Sequence, residues 1–111
     1  MNGPPLQSLI VTQGWTVLYH QFFDIQPSQE LVEGDSLLFR EDLFQATNAR
    51  ANRIIDLGWY PERDFTSGHF RVVVHEGDLR GPLLSEFSSK EKDAVVGKMN
   101  EWMNMVSQGR L

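Results

Sequence analysis

Residues 54–75, IIDLGWYPERDFTSGHFRVVVH, constrain the fold more than any other part of the chain. Apolar and polar side chains alternate through residues 53–60 and again through residues 69–76, which is the period of a half-buried β-strand. A proline and a glycine lie in the polar stretch between them, as in the loop of a β-hairpin. The pattern therefore predicts a hairpin with one apolar face. That face carries Ile55, Leu57, Trp59, Phe70, Val72 and Val74. The opposite face carries Ile54, Asp56, His69, Arg71 and His75.

Three further segments have strand character. In residues 15–25 the odd positions, including Trp15, Val17 and Tyr19, are mostly apolar, which predicts a strand with those side chains on one face. Residues 37–47 favour a second strand, although a short helix over residues 41–53 is the competing prediction because TNARAN has poor strand character. Residues 82–87 predict a short strand whose leading proline suits a first residue or a sheet edge.

The hydrophobic period changes after residue 88. The sequence SSKE at residues 88–91 fits a capping box, and Gly109 is well placed to follow the last helical residue. These signals predict a helix over about residues 89–108. Its apolar face is marked, at the i, i+4, i+7 and i+11 spacing of an amphipathic helix, by Val95, Met99, Trp102 and Val106.

Several strands followed by one amphipathic helix predict the α+β class. We expect an antiparallel β-sheet of about five strands with the C-terminal helix packed on one face. Met99 and Trp102 should then lie against the apolar face of the hairpin. The expected layout is a single domain over residues 1–111, with a flexible stretch at 1–13, mainly strands at 14–87 and the helix at 88–108.

Composition excludes several classes of protein. The chain has no cysteine, which rules out a disulfide framework, a thiolate zinc site and a cysteine nucleophile. Its first residues lack the basic region and the apolar run of a signal peptide. Nothing in the chain approaches the ~18 apolar residues of a membrane-spanning helix. We therefore expect a cytoplasmic protein that does not associate with membranes.

The net charge of −5 is concentrated in a small part of the chain. Six acidic side chains and one basic side chain lie from Asp24 to Asp42, so this acidic segment alone carries −5, and the remaining nine acids and nine bases cancel. A field of that sign repels phosphate backbones and attracts basic proteins. The segment therefore predicts a basic protein partner and argues against direct binding of nucleic acid. The competing interpretation is a solvated acidic loop.

No arrangement of residues predicts catalytic groups, a metal ion or a cofactor. His69 and His75 share a strand face but stand ~20 Å apart, and His20 has no carboxylate at regular ligand spacing. The acidic pairs within residues 41–42 and 62–64 are typical of strand and loop charges rather than of an acid/base pair. A phosphate-binding glycine loop and a nucleophile motif are both absent from the sequence.

The remaining candidate is a recognition surface at the end of the hairpin. Trp59, Tyr60 and Phe65 lie there among charged side chains, and aromatic residues of this kind dominate interface hot spots. The alternative is that Trp59 and Phe65 cap the core beside the turn. We expect Trp59 to be at least half buried, with Tyr60 and the charges outside. The predicted partner-binding residues, which include the acidic segment, are Asp24, Glu30, Glu33, Asp35, Asp56, Trp59, Tyr60, Glu62 and Asp64.

Three stretches carry a resemblance to a known family: GWTVLYHQFFDI, the hairpin IDLGWYPERDFTSGHFRVVV and the terminal amphipathic helix, from about Gly14 to Val106. In these stretches the chain resembles immunity proteins of bacterial contact-dependent growth-inhibition and polymorphic toxin systems. The resemblance implies a non-enzymatic protein that binds the toxin domain of a cognate effector and blocks it. Many such toxins are basic nucleases, to which an acidic inhibitor is electrostatically complementary.

Two other classes of function stay open. One is a small hydrolase or isomerase with a pocket between sheet and helix, whose acid and base groups would be His20, Asp24 and Asp56. The other is an acidic adaptor, including inhibitors that mimic nucleic acid. In each case an exposed sheet edge could also pair with a partner strand or with a second copy of the chain, giving a homodimer.

Overall fold

The computed structural model describes residues 3–27, 35–64 and 66–111. Its centre is an antiparallel sheet whose five strands lie side by side in sequence order, followed by one α-helix. This is the predicted α+β fold. No α-helix in the described ranges is long and apolar enough to cross a membrane. The elements are β1 (Trp15–His20), β2 (Phe44–Asn48), β3 (Arg53–Tyr60), β4 (His69–Glu76), β5 (Leu83–Ser89) and α1 (Lys92–Ser107).

Alternation along the strands gives the sheet two unlike faces. The core face packs against α1, where Met99 is fully buried and Trp102 is 8% exposed. Burying each large apolar side chain of this kind contributes roughly 1.5–3 kcal/mol. The predicted docking of the helix on the hairpin is therefore confirmed. The sheet residues of the core face are Phe44, Ala46, Ile55, Leu57, Trp59, Phe70, Val72 and Val74.

The hairpin strands β3 and β4 have the predicted bounds, whereas β1 and β2 are shorter than predicted. β1 ends at His20, and Phe23 instead forms an isolated bridge with the N-terminal segment. A short 3-10 helix, Asp35–Leu38, precedes β2 where the sequence favours a strand. The competing helix over residues 41–53 does not form, because β2 and β3 occupy this stretch. Asn52 in the turn between them has a φ of 59°, a conformation that asparagine tolerates.

The helix α1 starts later than predicted, and the prediction of a capping box at residues 88–91 is wrong. Ser89 is the last residue of β5, and its hydroxyl accepts a hydrogen bond from the amide of Glu91. The helix begins at Lys92, whose amide donates to Gln26 Oε1 at 2.9 Å, so the cap comes from a distant segment. At the other end the prediction is confirmed. Gly109 follows the helix with a φ of 72°, and its amide donates to a carbonyl of the last turn.

The N-terminal segment, for which the sequence predicts flexibility, is hydrogen-bonded to α1. The amide of Ile10 donates to Asn100 Oδ1 at 2.9 Å. The hydroxyl of Thr12 donates to the Met103 carbonyl at 2.9 Å, and the indole of Trp15 donates to the same carbonyl at 3.0 Å. These bonds hold the start of the chain beside the helix.

Lys92 joins the N-terminal segment, the residues after β1 and the start of the helix. Lys92 is only 7% exposed. Its Nζ donates to Gln7 Oε1 at 2.6 Å and contacts Asp24 Oδ1 at 2.9 Å. Asp93 Oδ1 lies 3.1 Å from the same nitrogen. Because three acceptors surround the ammonium, the cost of burying it is offset.

Candidate partner-binding surface

The face of the sheet turned away from α1, which we call the open face, carries polar and charged side chains together with the buried apolar residues Ile54 and Val73. Tyr19 of β1 lies opposite Gln45 of β2, and Gln45 lies opposite Asp56 of β3. In the next rung, Gly58 of β3 lies opposite Arg71 of β4. A polar row therefore runs from β1 to β3 and meets the buried Val73 on β4, beside Arg71. The residues that define the open face are Tyr19, Gln45, Asp56, Tyr60 and Arg71.

Two acidic residues reach the open face through a bulge before β2. On one side of the bulge the amide of Trp59 donates to the Arg40 carbonyl at 2.7 Å. On the other side the amide of Leu43 donates to the Leu57 carbonyl at 3.0 Å. The two residues between these bonds therefore lie opposite a single residue of β3, Gly58. They are Glu41 and Asp42.

Gly58 makes this close approach possible. A Cβ built on it would overlap the main-chain oxygen of Glu41 and would crowd the ring of Tyr60. With no side chain at this position, the Tyr60 hydroxyl reaches to 3.4 Å from the Glu41 oxygen. Only glycine therefore allows the bulge and the phenol to share this part of the open face.

Asp56 lies in the polar row and is only 9% exposed. Gln45 Nε2 donates to its Oδ2 at 2.9 Å. Burial raises the pKa of the Asp56 carboxyl above 3.8; the bond from Gln45 opposes this shift, and the charge of Asp42 adds to it. The sequence-based expectation that this charge lies outside is wrong, because neighbouring side chains on the open face cover it.

The phenol of Tyr19 lies between two carboxylates. Its oxygen is 3.4 Å from Asp42 Oδ1 and 3.4 Å from Asp56 Oδ2. A hydroxyl has one proton, so it can donate to only one of them at a time. Burial raises the pKa of Tyr19, and the two carboxylates raise it further. The two carboxylates therefore share one hydroxyl donor and leave negative charge beside it, with Asp42 exposed to solvent.

Arg71 faces these carboxylates but is already engaged. Its Nε donates to Glu86 Oε2 at 2.6 Å, and its Nη2 pairs with the same oxygen. Four acids (Glu41, Asp42, Asp56 and Glu86) against one base (Arg71) give −3 when all are ionised. We refer to Glu41, Asp42 and Asp56 as the acidic cluster.

The predicted hairpin residues separate between the two faces and the loop. Tyr60 is half-buried on the open face, where burial and then the charge of Asp56 raise its pKa. Trp59 is fully buried on the core face, as the alternative predicts for it and not as a partner-binding residue would lie. Asp64 accepts hydrogen bonds from the hydroxyl and the amide of Ser67, which lower its pKa and shape the loop. The other predicted loop residue, Glu62, is exposed.

The acidic segment reaches the open face at its C-terminal end, through Glu41 and Asp42. Asp24, at the other end, is paired with Lys92 at 2.9 Å, so its charge is compensated beside the start of α1. Asp35 is the first residue of the 3-10 helix. The predicted residues that lie outside the described ranges are Glu30, Glu33 and Phe65.

Sequence reasoning misses Tyr19 and Gln45. Regular alternation places Tyr19 on the same face as Trp15 and Val17, but a register shift between Val17 and Tyr19 turns it to the open face. No sequence signal marks that bulge. Gln45 occupies an ordinary polar strand position, and only the register of β2 against β3 brings it to Asp56.

The structure does not bring together the acid and base groups of the hydrolase alternative. His20 lies on the core face, with its ring edge-on to Phe44 at 5.3 Å between centroids. Asp24 is paired with Lys92, and Asp56 lies on the opposite face of the sheet. A cleft of about 420 Å³ lies between the start of β1, the turn after β2 and the end of α1. His20, Asp24 and Asp56 do not line it.

The described ranges contain no group of three or more His, Cys, Asp or Glu side chains arranged to hold a metal ion. Comparison of the chain with protein-family models, with curated proteins and with solved structures gives no match. Function is therefore inferred from the chemistry of the open face and from the sequence resemblance.

Proposed function

We propose that this chain is an immunity protein that binds and neutralises the toxin domain of a cognate effector, and that this toxin is a basic nuclease. The observation that carries the proposal is the acidic cluster. It places Asp42 and Asp56, which share one phenol proton, beside the phenols of Tyr19 and Tyr60 on a face turned away from the core, with no basic side chain free to neutralise them among those that define this face. The resemblance to immunity proteins supports the same class of function.

A basic protein supplies the positive charge that the acidic cluster lacks. A guanidinium carries five N–H donors in a rigid fork, and an ammonium carries three. Either group satisfies the carboxylates of Asp42 and Asp56 and favours their ionised forms. The rings of Tyr19 and Tyr60 add apolar area with few rotatable bonds, and a guanidinium stacks well on such rings.

The same charge argues for binding a protein rather than its nucleic acid substrate. Negative potential accelerates encounter with a basic groove and disfavours phosphate. The chain would then act by occupying or covering the toxin, with no catalytic residue and no cofactor of its own. Its place of action would be the cytoplasm, where a nuclease toxin meets its substrate.

Co-expression with the toxin domain encoded next to this gene tests the proposal. The informative variant is Asp42→Asn/Asp56→Asn, which removes two charges with little change in shape. The matched control is Asp78→Asn/Glu101→Gln, which removes two charges from exposed positions on the β4–β5 loop and on α1. We expect growth to be rescued by the wild-type chain and by the control, and to fail with the acidic-cluster variant.

Two outcomes count against the proposal. If the wild-type chain neither binds nor neutralises a neighbouring toxin, it is not an immunity protein. If both double variants rescue growth equally while circular dichroism shows them folded, the acidic cluster is not the binding surface.

A further inference from the structure

The two edges of the sheet are protected unequally. Natural edge strands avoid pairing with other chains by means of bulges, inserted charges or prolines. β1 carries a bulge in its middle, between Val17 and Tyr19. β5 is irregular only near its start, around Leu84, and residues 85–89 pair regularly with β4. β5 contains no lysine, and its one charged residue, Glu86, is already paired within the sheet.

We infer that the outer edge of β5 pairs with β5 of a second copy of this chain, in an antiparallel two-fold dimer. An exposed strand edge presents unpaired amide and carbonyl groups, so its natural occupant is another strand. A β5–β5 contact closes on itself. A contact from β5 to the β1 edge of the next copy would leave edges free and generate an open fibre, and the bulge in β1 opposes that contact.

Side-chain chemistry distinguishes the two registers that are centred on the middle residues of β5. A two-fold axis perpendicular to the sheet places one residue of β5 opposite its own copy. Centred on Glu86, the dimer would set two carboxylates side by side, which is destabilising. Centred on Phe87, it places Phe87 against Phe87, Glu86 against Ser88, and Ser85 against Ser89. Each of these pairs is compatible, so β5 is complementary to itself in this register.

The ring of Phe87 gives the dimer its apolar contact. Phe87 lies at the margin of the core, only partly buried, with Lys98 Nζ 5.7 Å from its ring centroid. A cross-strand aromatic pair between two small serines would cover the exposed part of both rings. The overlap of residues 85–89 is short, so the interface belongs to the small, transient class below about 1,200 Å². The inference is independent of the proposed function.

Sedimentation of the full chain over a concentration series up to about 1 mM tests the dimer and its register together. Ser88 is exposed and in this register lies opposite Glu86 of the other copy, twice in each dimer. Ser88→Lys should therefore tighten the dimer and Ser88→Glu should weaken it, each by roughly 2- to 30-fold. Asn104→Lys and Asn104→Glu make the same changes of net charge at an exposed position of α1 and serve as controls.

The expected result is a monomer–dimer equilibrium. The dissociation constants of the two Ser88 variants should change in opposite directions, and by more than those of the two Asn104 variants. A wild-type chain that stays monomeric over the whole series overturns the inference. A dimer whose dissociation constant responds equally to the changes at Ser88 and Asn104 also overturns it, because its interface then lies away from β5.

Discussion

The two faces of the sheet are built from the same strands and differ in what covers them and in the charge they carry. On the core face, Leu57 and Val72 lie opposite each other with no exposed area, and the helix covers them. On the open face, Asp56 is almost as deeply buried, yet it shares one phenol proton with Asp42. The core face is packed against α1, and the open face has negative charge left over.

This difference separates stability from recognition. Apolar burial on the core face stabilises the fold, so changes there should lower the free energy of unfolding. A buried carboxyl whose pKa is raised by burial contributes little to stability at neutral pH or opposes it, and such groups are typical of functional sites. Changes at the acidic cluster should therefore alter binding while leaving the fold intact.

The largest expected effect is on the core face. Met99→Ala removes a fully buried side chain and Trp102→Ala removes one that is 8% exposed, and each should cost about 2–5 kcal/mol. Urea denaturation followed by circular dichroism measures the loss, with exposed Asn104→Ala as the control. A loss below about 0.5 kcal/mol for both core variants would show that α1 does not dock as described.

Gly58→Ala is the substitution that most sharply challenges the division between the two faces. It lies on the open face, but its new methyl group would overlap the backbone at Glu41, so we expect a loss of about 1–3 kcal/mol. Gly97→Ala in α1 is the matched control, because nothing lies within 4 Å of the added carbon. There alanine should stabilise the helix by roughly 0.5–1 kcal/mol. Equal stability of the two variants would argue against the close approach at Gly58.

The sequence predicts the core face better than the open face, for a physical reason. Burial imposes a period on each strand, so β3, β4 and the apolar stripe of α1 can be read directly. The open face depends on two bulges, one at Tyr19 and one at Glu41–Asp42, that leave no periodic signal. The helix start likewise depends on Gln26, a residue far away in the chain.

A smaller effect is expected from the titration of Asp56. Its folded pKa is raised above 3.8, so the native carboxyl binds its proton more tightly than the unfolded one. Protonated Asp56 therefore contributes stability that is fully present below the unfolded pKa. This contribution is lost as the pH rises through the folded pKa. Asp56→Asn stays neutral and should lack this loss, with an unfolding free energy at pH 7 within about 1 kcal/mol of wild type or above it. Denaturation at about pH 4 and pH 7 tests this. If stability falls more between about pH 4 and pH 7 in the variant than in wild type, the pKa of the Asp56 carboxyl is not raised by burial.

Binding kinetics should distinguish the role of the acidic segment from that of Tyr60. Reversing Glu30, Glu33 and Asp35 to lysine changes long-range attraction, so kon to a basic toxin should fall, more at low salt than at high. Tyr60→Ala should leave kon nearly unchanged and raise koff, with a loss of roughly 1–3 kcal/mol. If charge reversal leaves kon and its salt dependence untouched, the acidic segment does not steer the toxin.

The dissociation rate of the complex with the neighbouring toxin domain tests the central claim most directly. Surface plasmon resonance would compare wild type, Asp42→Asn/Asp56→Asn and the control Asp78→Asn/Glu101→Gln. If the acidic cluster binds a basic side chain of the toxin, koff should rise about 10- to 100-fold in the cluster variant and stay near wild type in the control. Equal dissociation rates for the two double variants would contradict the account.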